Sequence, residues 1–154
     1  MSVIEALNQF PWLLGFFLLF VGLSVGSFLN VVIYRLPVMM QRRWRTDCCE
    51  LLNVENGDAG SDTFILMVPN SRCPGCGHAI RAWENIPVLS YLVLRGRCSN
   101  CNTSISPRYP IIETVSGILA LVLGGHFGGA GLPLLGALLL TWSLIALTMI
   151  DIDE

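Results

Sequence analysis

Three nearly uncharged stretches constrain this chain more than any other feature of its 154 residues. Residues 10–34 and 132–150 carry no charge, and residues 111–127 carry only Glu113. A helix rises about 1.5 Å per residue, so about 20 apolar residues cross the ~30 Å hydrocarbon core of a bilayer. Charged residues make up 13% of the chain, where soluble domains have roughly 25%, and this excludes a simple soluble globule. The first stretch is not a cleaved signal peptide. Only Glu5 precedes it where a basic region would stand, and Arg35 follows it. The second and third stretches are separated by the Gly-Gly-Ala-Gly of residues 128–131, so they form an antiparallel hairpin. The expected fold is an all-α integral membrane protein: transmembrane helices over 10–34, 111–127 and 132–150, with one long loop over 35–108.

Charge orients that arrangement. The chain has no lysine, and all nine arginines lie within the loop, against six of its eleven acids. Basic residues near span ends mark the cytoplasmic side, and Arg35, Arg42, Arg43, Arg45, Arg95, Arg97 and Arg108 qualify. The loop is therefore expected in the cytoplasm. Its stretch over 39–45, basic and carrying Trp44, suits anionic headgroups. Residues 55–62 are polar and expected to be mobile, while residues 86–94, after Trp83 and Asn85, read as a packed bridge. No phosphate loop or nucleic-acid module is present.

Four of the six cysteines form two knuckles, Cys73-Pro74-Gly75-Cys76 and Cys98-Ser99-Asn100-Cys101, with 21 residues between them. Two intervening residues let both thiolates of a pair reach one tetrahedral ion at about 2.3 Å. Paired disulfides would need an oxidising compartment, and a thioredoxin-like pair would need a strand–helix frame. A structural Cys₄ zinc site at Cys73, Cys76, Cys98 and Cys101 is the expected arrangement. Cys48 and Cys49 are adjacent, ill-suited to one tetrahedral ion, and read as small apolar residues. His78 could replace a thiolate but is not needed, and His126 reads as a bystander.

Ionisable groups at membrane depth are costly and often functional. Asp151 ends the third span and Asp153 follows, roughly 200° further round a helix. The two carboxylates point apart unless the helix unwinds. Acid–base hydrolysis needs a carboxylate pair with one member protonated, so Asp151 needs a partner from elsewhere. Glu113 is the candidate in another span, although after Pro110 it also reads as a first-turn acid complementing the helix dipole. In the first span Gly15, Gly22, Gly26 and Asn30 share a face, which reads as a packing seam or a substrate groove.

These stretches together resemble one family. Residues 26–37 (Gly-Ser-Phe-Leu-Asn-Val-Val-Ile-Tyr-Arg-Leu-Pro) are similar to the N-terminal signature of bacterial type IV prepilin peptidases. The two knuckles, Trp83-Glu84-Asn85-Ile86-Pro87 with Ser90-Tyr91, Arg95-Gly96-Arg97-Cys98, and Arg108-Tyr109-Pro110 with Glu113 resemble its cytoplasmic domain. Asp151-Ile152-Asp153 resembles the start of its first catalytic aspartate motif. The resemblance covers about residues 10–154. It implies the N-terminal part of a larger polytopic enzyme of the bacterial inner membrane. Such enzymes cut the basic leader from type IV prepilins and type II secretion pseudopilins, then methylate the new N-terminus from S-adenosylmethionine. It also implies zinc on Cys73, Cys76, Cys98 and Cys101, and Asp151 as the first catalytic aspartate. The family's second catalytic aspartate lies in a Gly-x-Gly-Asp motif that these residues do not contain. With the Asp-x-Asp motif open at residues 151–154, the expectation is a truncated chain without peptidase activity of its own. Without the resemblance, a non-enzymatic membrane adaptor with a zinc-binding cytoplasmic loop accounts for the same residues.

Overall fold

The computed structural model describes residues 3–52, 66, 73, 75–80 and 86–153. Residues 55–62, Pro74, Trp83, Asn85 and Glu154, on which several of the expectations above fall, lie outside them. The described residues form helices α1 (Val3–Gln9), α2 (Pro11–Leu51), α3 (Leu89–Val93), α4 (Arg108–Phe127) and α5 (Leu132–Asp153). No strand occurs among them; one isolated bridge pairs Arg97 with Ser104. Helices α2, α4 and α5 are each long and apolar enough to cross a membrane. They pack into one bundle with two apolar clusters along its length, one around Leu14, Leu18, Ala120, Leu134 and Leu138, the other around Leu29, Ile33, Ile112 and Ala146.

The first helix is longer than its apolar block. Hydropathy ends at Arg35, but the backbone stays helical through Pro37 to Leu51, for 41 residues. The basic stretch over 39–45 therefore continues α2 rather than forming a separate element. Met, Gln and Arg all favour helix, and nothing in that stretch breaks one. The helix end is thus set later than the membrane boundary.

The glycine face of α2 is a packing seam. A Cβ on Gly22 would stand 2.8 Å from Gly117 Cα, and one on Gly26 only 2.7 Å from Glu113 Cα. Only hydrogen at these positions lets the two backbones approach so closely. The Ser116 hydroxyl, fully buried, donates to the Gly22 carbonyl at 2.6 Å. Asn30 donates across the same interface to the Tyr109 carbonyl at 3.2 Å. Gly26→Leu should therefore force α2 from α4, at a cost of about 1–3 kcal/mol or more. The expected result is a lower midpoint for thermal unfolding in detergent, with no such drop for Gly125→Ala, where a Cβ would meet nothing from the neighbouring helices within 4 Å.

The α4–α5 turn forms as the short connection requires. Gly128 takes the left-handed conformation (φ 66°) that ends α4. Asn8 of α1 clasps the turn, accepting from the Ala130 amide at 2.6 Å.

Candidate functional site

The sulfurs of Cys73, Cys76, Cys98 and Cys101 all lie within 4.8 Å of one another. Cys73 and Cys101 are 3.7 Å apart. Four thiolates bound tetrahedrally at 2.3 Å would stand about 3.8 Å apart, so the cluster can hold a metal ion of that size. All six cysteines are free thiols rather than disulfides.

The two knuckles repeat the same two backbone hydrogen bonds. The Cys73 carbonyl accepts from the Gly77 amide at 2.9 Å, and the Cys98 carbonyl from the Asn102 amide at 3.1 Å. The Cys73 amide donates to His78 O, and the Cys98 amide to Thr103 O, both at 2.9 Å. Gly77 (φ 69°) and Asn102 (φ 58°) occupy the same left-handed position, the region glycine and asparagine tolerate best. Gly77 was thus readable as a turn residue, and Asn102, four positions after Cys98, carries the same signal.

Polar neighbours tune the sulfurs. The Thr103 hydroxyl lies 3.1 Å from Cys101 Sγ, and Asn100 Nδ2 lies 3.6 Å from Cys76 Sγ. Hydrogen bonds from the Thr103 side chain and amide, then from Cys76, bring the Cys101 thiol down to about 6. At Cys73 the Gly75 and Cys76 amides favour the thiolate, but burial and the Cys98 and Cys101 sulfurs outweigh them and push it up to about 11. Crowded thiolates resist ionising together, and a dication removes that resistance.

The acids occupy separate places. Asp151 is exposed on the last turn of α5 and makes no hydrogen bond or ion pair among the described residues. Asp153 turns the other way, as the helical count requires, and pairs with Arg108 at the start of α4. Its two oxygens lie 2.6 and 2.5 Å from the guanidinium nitrogens. Arg108 also reaches the Met149 carbonyl at 3.5 Å, fastening the end of α5 to the start of α4.

Glu113 corrects a sequence expectation. It does not lie in the first turn of α4 but six residues in, and it is buried, 7% exposed. Its Oε2 accepts the Val88 amide at 2.7 Å, which joins the loop to the bundle. Val88 has φ 57° and ψ −44°, a positive-φ, γ-turn-like conformation rare for a β-branched residue. Neither the contact nor the strain had a signal in the sequence, because Glu113 and Val88 are 25 residues apart and meet only in the folded chain.

Comparison with known proteins gives this arrangement a family. The bacterial peptidase A24 N-terminal domain matches residues 20–127. The chain belongs to that family. It is similar to proteins named prepilin leader peptidase/N-methyltransferase: 51% identical to that of Stutzerimonas stutzeri, over all of this chain and 53% of that protein. Identity to the Neisseria gonorrhoeae protein is 54% over 86% of this chain and 46% of that one. Identity to the Pseudomonas aeruginosa protein is 44% over all of this chain and 52% of that one. The chain spans about half the length of the curated relatives it matches. No solved structure matches it.

Proposed function

We propose that this A24-family chain acts in leader peptidase and N-methyltransferase chemistry on type IV prepilins and type II secretion pseudopilins, at the cytoplasmic face of the bacterial inner membrane. The observation that carries the reading is the 51% identity along the whole chain to a protein of that name. The arginine-rich loop supports the cytoplasmic orientation. Zinc is the metal that suits four thiolates from paired Cys-x-x-Cys turns, held by Cys73, Cys76, Cys98 and Cys101 in a closed structural site.

Asp151 is the first catalytic aspartate in this reading. Its exposure leaves it able to meet a second carboxylate, whereas Asp153 is engaged by Arg108 and Glu113 by Val88. The second carboxylate comes from outside these residues. Proximity of the two raises one pKa, so that one acid is protonated while the other activates water against the leader peptide bond. S-adenosylmethionine is the methyl donor for the new N-terminus. The test is mass spectrometry of a prepilin incubated with the full-length protein in membranes, with and without S-adenosylmethionine. Loss of the leader, and one added methyl only with the donor, is expected. An intact prepilin would sink the proposal.

A further inference from the structure

Two contacts place the middle part of the loop beside the spanning helices. The Val88 amide is bound by Glu113, which stands five residues inside Arg108, about 7.5 Å deeper at 1.5 Å per residue. Pro87 lines a cavity of about 270 Å³ whose other walls are Ser24, Ser27, Phe28 and Val31 of α2. Ser27 lies eight residues inside Arg35, the charge that ends the apolar block, or about 12 Å deeper. Counted along the helices, Pro87 and Val88 stand about 7.5–12 Å inside the level of Arg108 and Arg35, close to the depth of about 5–10 Å at which interfacial helices lodge.

The chemistry of the segment fits that depth. Residues 86–94 (Ile-Pro-Val-Leu-Ser-Tyr-Leu-Val-Leu) carry no charge, and Arg95 follows at once. The sequence pattern suggested a packed bridge, yet no residue of α3 is buried in the protein. Leu89 is 60%, Leu92 65% and Val93 75% exposed. In water these side chains would form an unprotected apolar patch, and the chain just before them, Pro87 and Val88, lies against α2 and Glu113 of α4. The backbone is equipped for such a place. The Val88 amide is satisfied by Glu113, and the Ser90, Leu92 and Leu94 amides by Ile86, Val88 and Ser90 carbonyls at 3.1, 3.0 and 2.9 Å. Unsatisfied backbone groups are what bar irregular chain from lipid.

We propose that residues 86–93 dip into the bilayer, with α3 lying at its interface and Leu89, Leu92 and Val93 among the acyl chains. Glu113 is the anchor. The positive-φ turn at Val88 lets its amide meet the carboxylate just before α3 begins. The second cysteine knuckle is thereby tethered to the membrane surface through Leu94, Arg95, Gly96 and Arg97, the four residues between α3 and Cys98.

The test is depth-resolved quenching on the full-length protein in nanodiscs. A fluorescent amino acid is placed singly at Leu92, at Leu144 on the exposed face of α5, and at Asn100 on the second knuckle. Lipids brominated on the acyl chain and aqueous acrylamide serve as the two quenchers. Position 92 should lose most of its emission to brominated lipid, as position 144 does, and little to acrylamide, while position 100 shows the reverse. A label at Val93 repeats the measurement if the position 92 variant does not accumulate. Quenching at 92 and 93 by acrylamide alone would place α3 in water and overturn the proposal. Shielding from both quenchers would show protein, either another segment or a second copy, covering the face, and would overturn it equally.

Discussion

Asp151→Asn in the full-length protein is expected to lower leader cleavage by about 10²–10⁴-fold, the contribution typical of a positioned acid or base. Asparagine keeps the size and some of the hydrogen bonding of the side chain but can neither hold nor release a proton. Asp153→Asn should act differently. Its carboxylate is committed to Arg108, both partners are about two-fifths exposed, and exposed pairs contribute little to stability. Loss of that pair frays the last turn of α5 and should cost activity far less than Asp151→Asn. Initial rates of leader removal, normalised to protein recovered in membranes, separate the two. If Asp153→Asn is the inactive variant and Asp151→Asn cleaves normally, the roles assigned here are reversed. If both variants cleave at the unmodified rate, neither aspartate is catalytic and the adaptor reading gains ground.

How far the sequence could lead depended on how local each signal was. The spans, the hairpin turn at 128–131 and the opposite directions of Asp151 and Asp153 follow from length and helical period alone, and the described structure has all three. The cysteine cluster was equally legible, because a Cys-x-x-Cys turn brings its own two sulfurs together and only the meeting of the two turns is tertiary. The end of α2 was not. Arg35 stops an apolar pattern but does not stop a helix, so the element continues to Leu51. The glycine face of α2 left packing and substrate binding both open; the short distances to Gly117 and Glu113 decide for packing. Glu113 and α3 were misread for a related reason. Their environment is created by the close approach of α2 and α4 and by one backbone amide 25 residues away, neither of which leaves a periodic trace.

Removing the metal should release the loop while leaving the three-helix bundle intact. Of the described residues between α2 and α4, the buried apolar side chains are Cys73 and Cys98 themselves. Among the described residues no other apolar core holds the knuckles, and the described ties are backbone turns, the Val88–Glu113 contact and the bond from Arg35 to the Leu66 carbonyl. A structural zinc supplies on the order of 10 kcal/mol of apparent binding free energy, far more than those turns can. Chelation, or Cys98→Ser, should therefore make the chain between Leu52 and Arg108 cleavable by trypsin, whose targets there include Arg95 and Arg97. Fragments carrying α2 and the α4–α5 hairpin should stay together in detergent, because the Gly22–Gly26 seam and both apolar clusters lie wholly in the helices. Elemental analysis should find about one zinc per chain before chelation and none after. Absence of metal from freshly purified protein, with unchanged trypsin resistance in Cys98→Ser, would refute the zinc assignment. Survival of the helix–helix association in the cleaved protein would also place the fold's stability in the membrane bundle, leaving the metal to shape only the loop that the bundle carries.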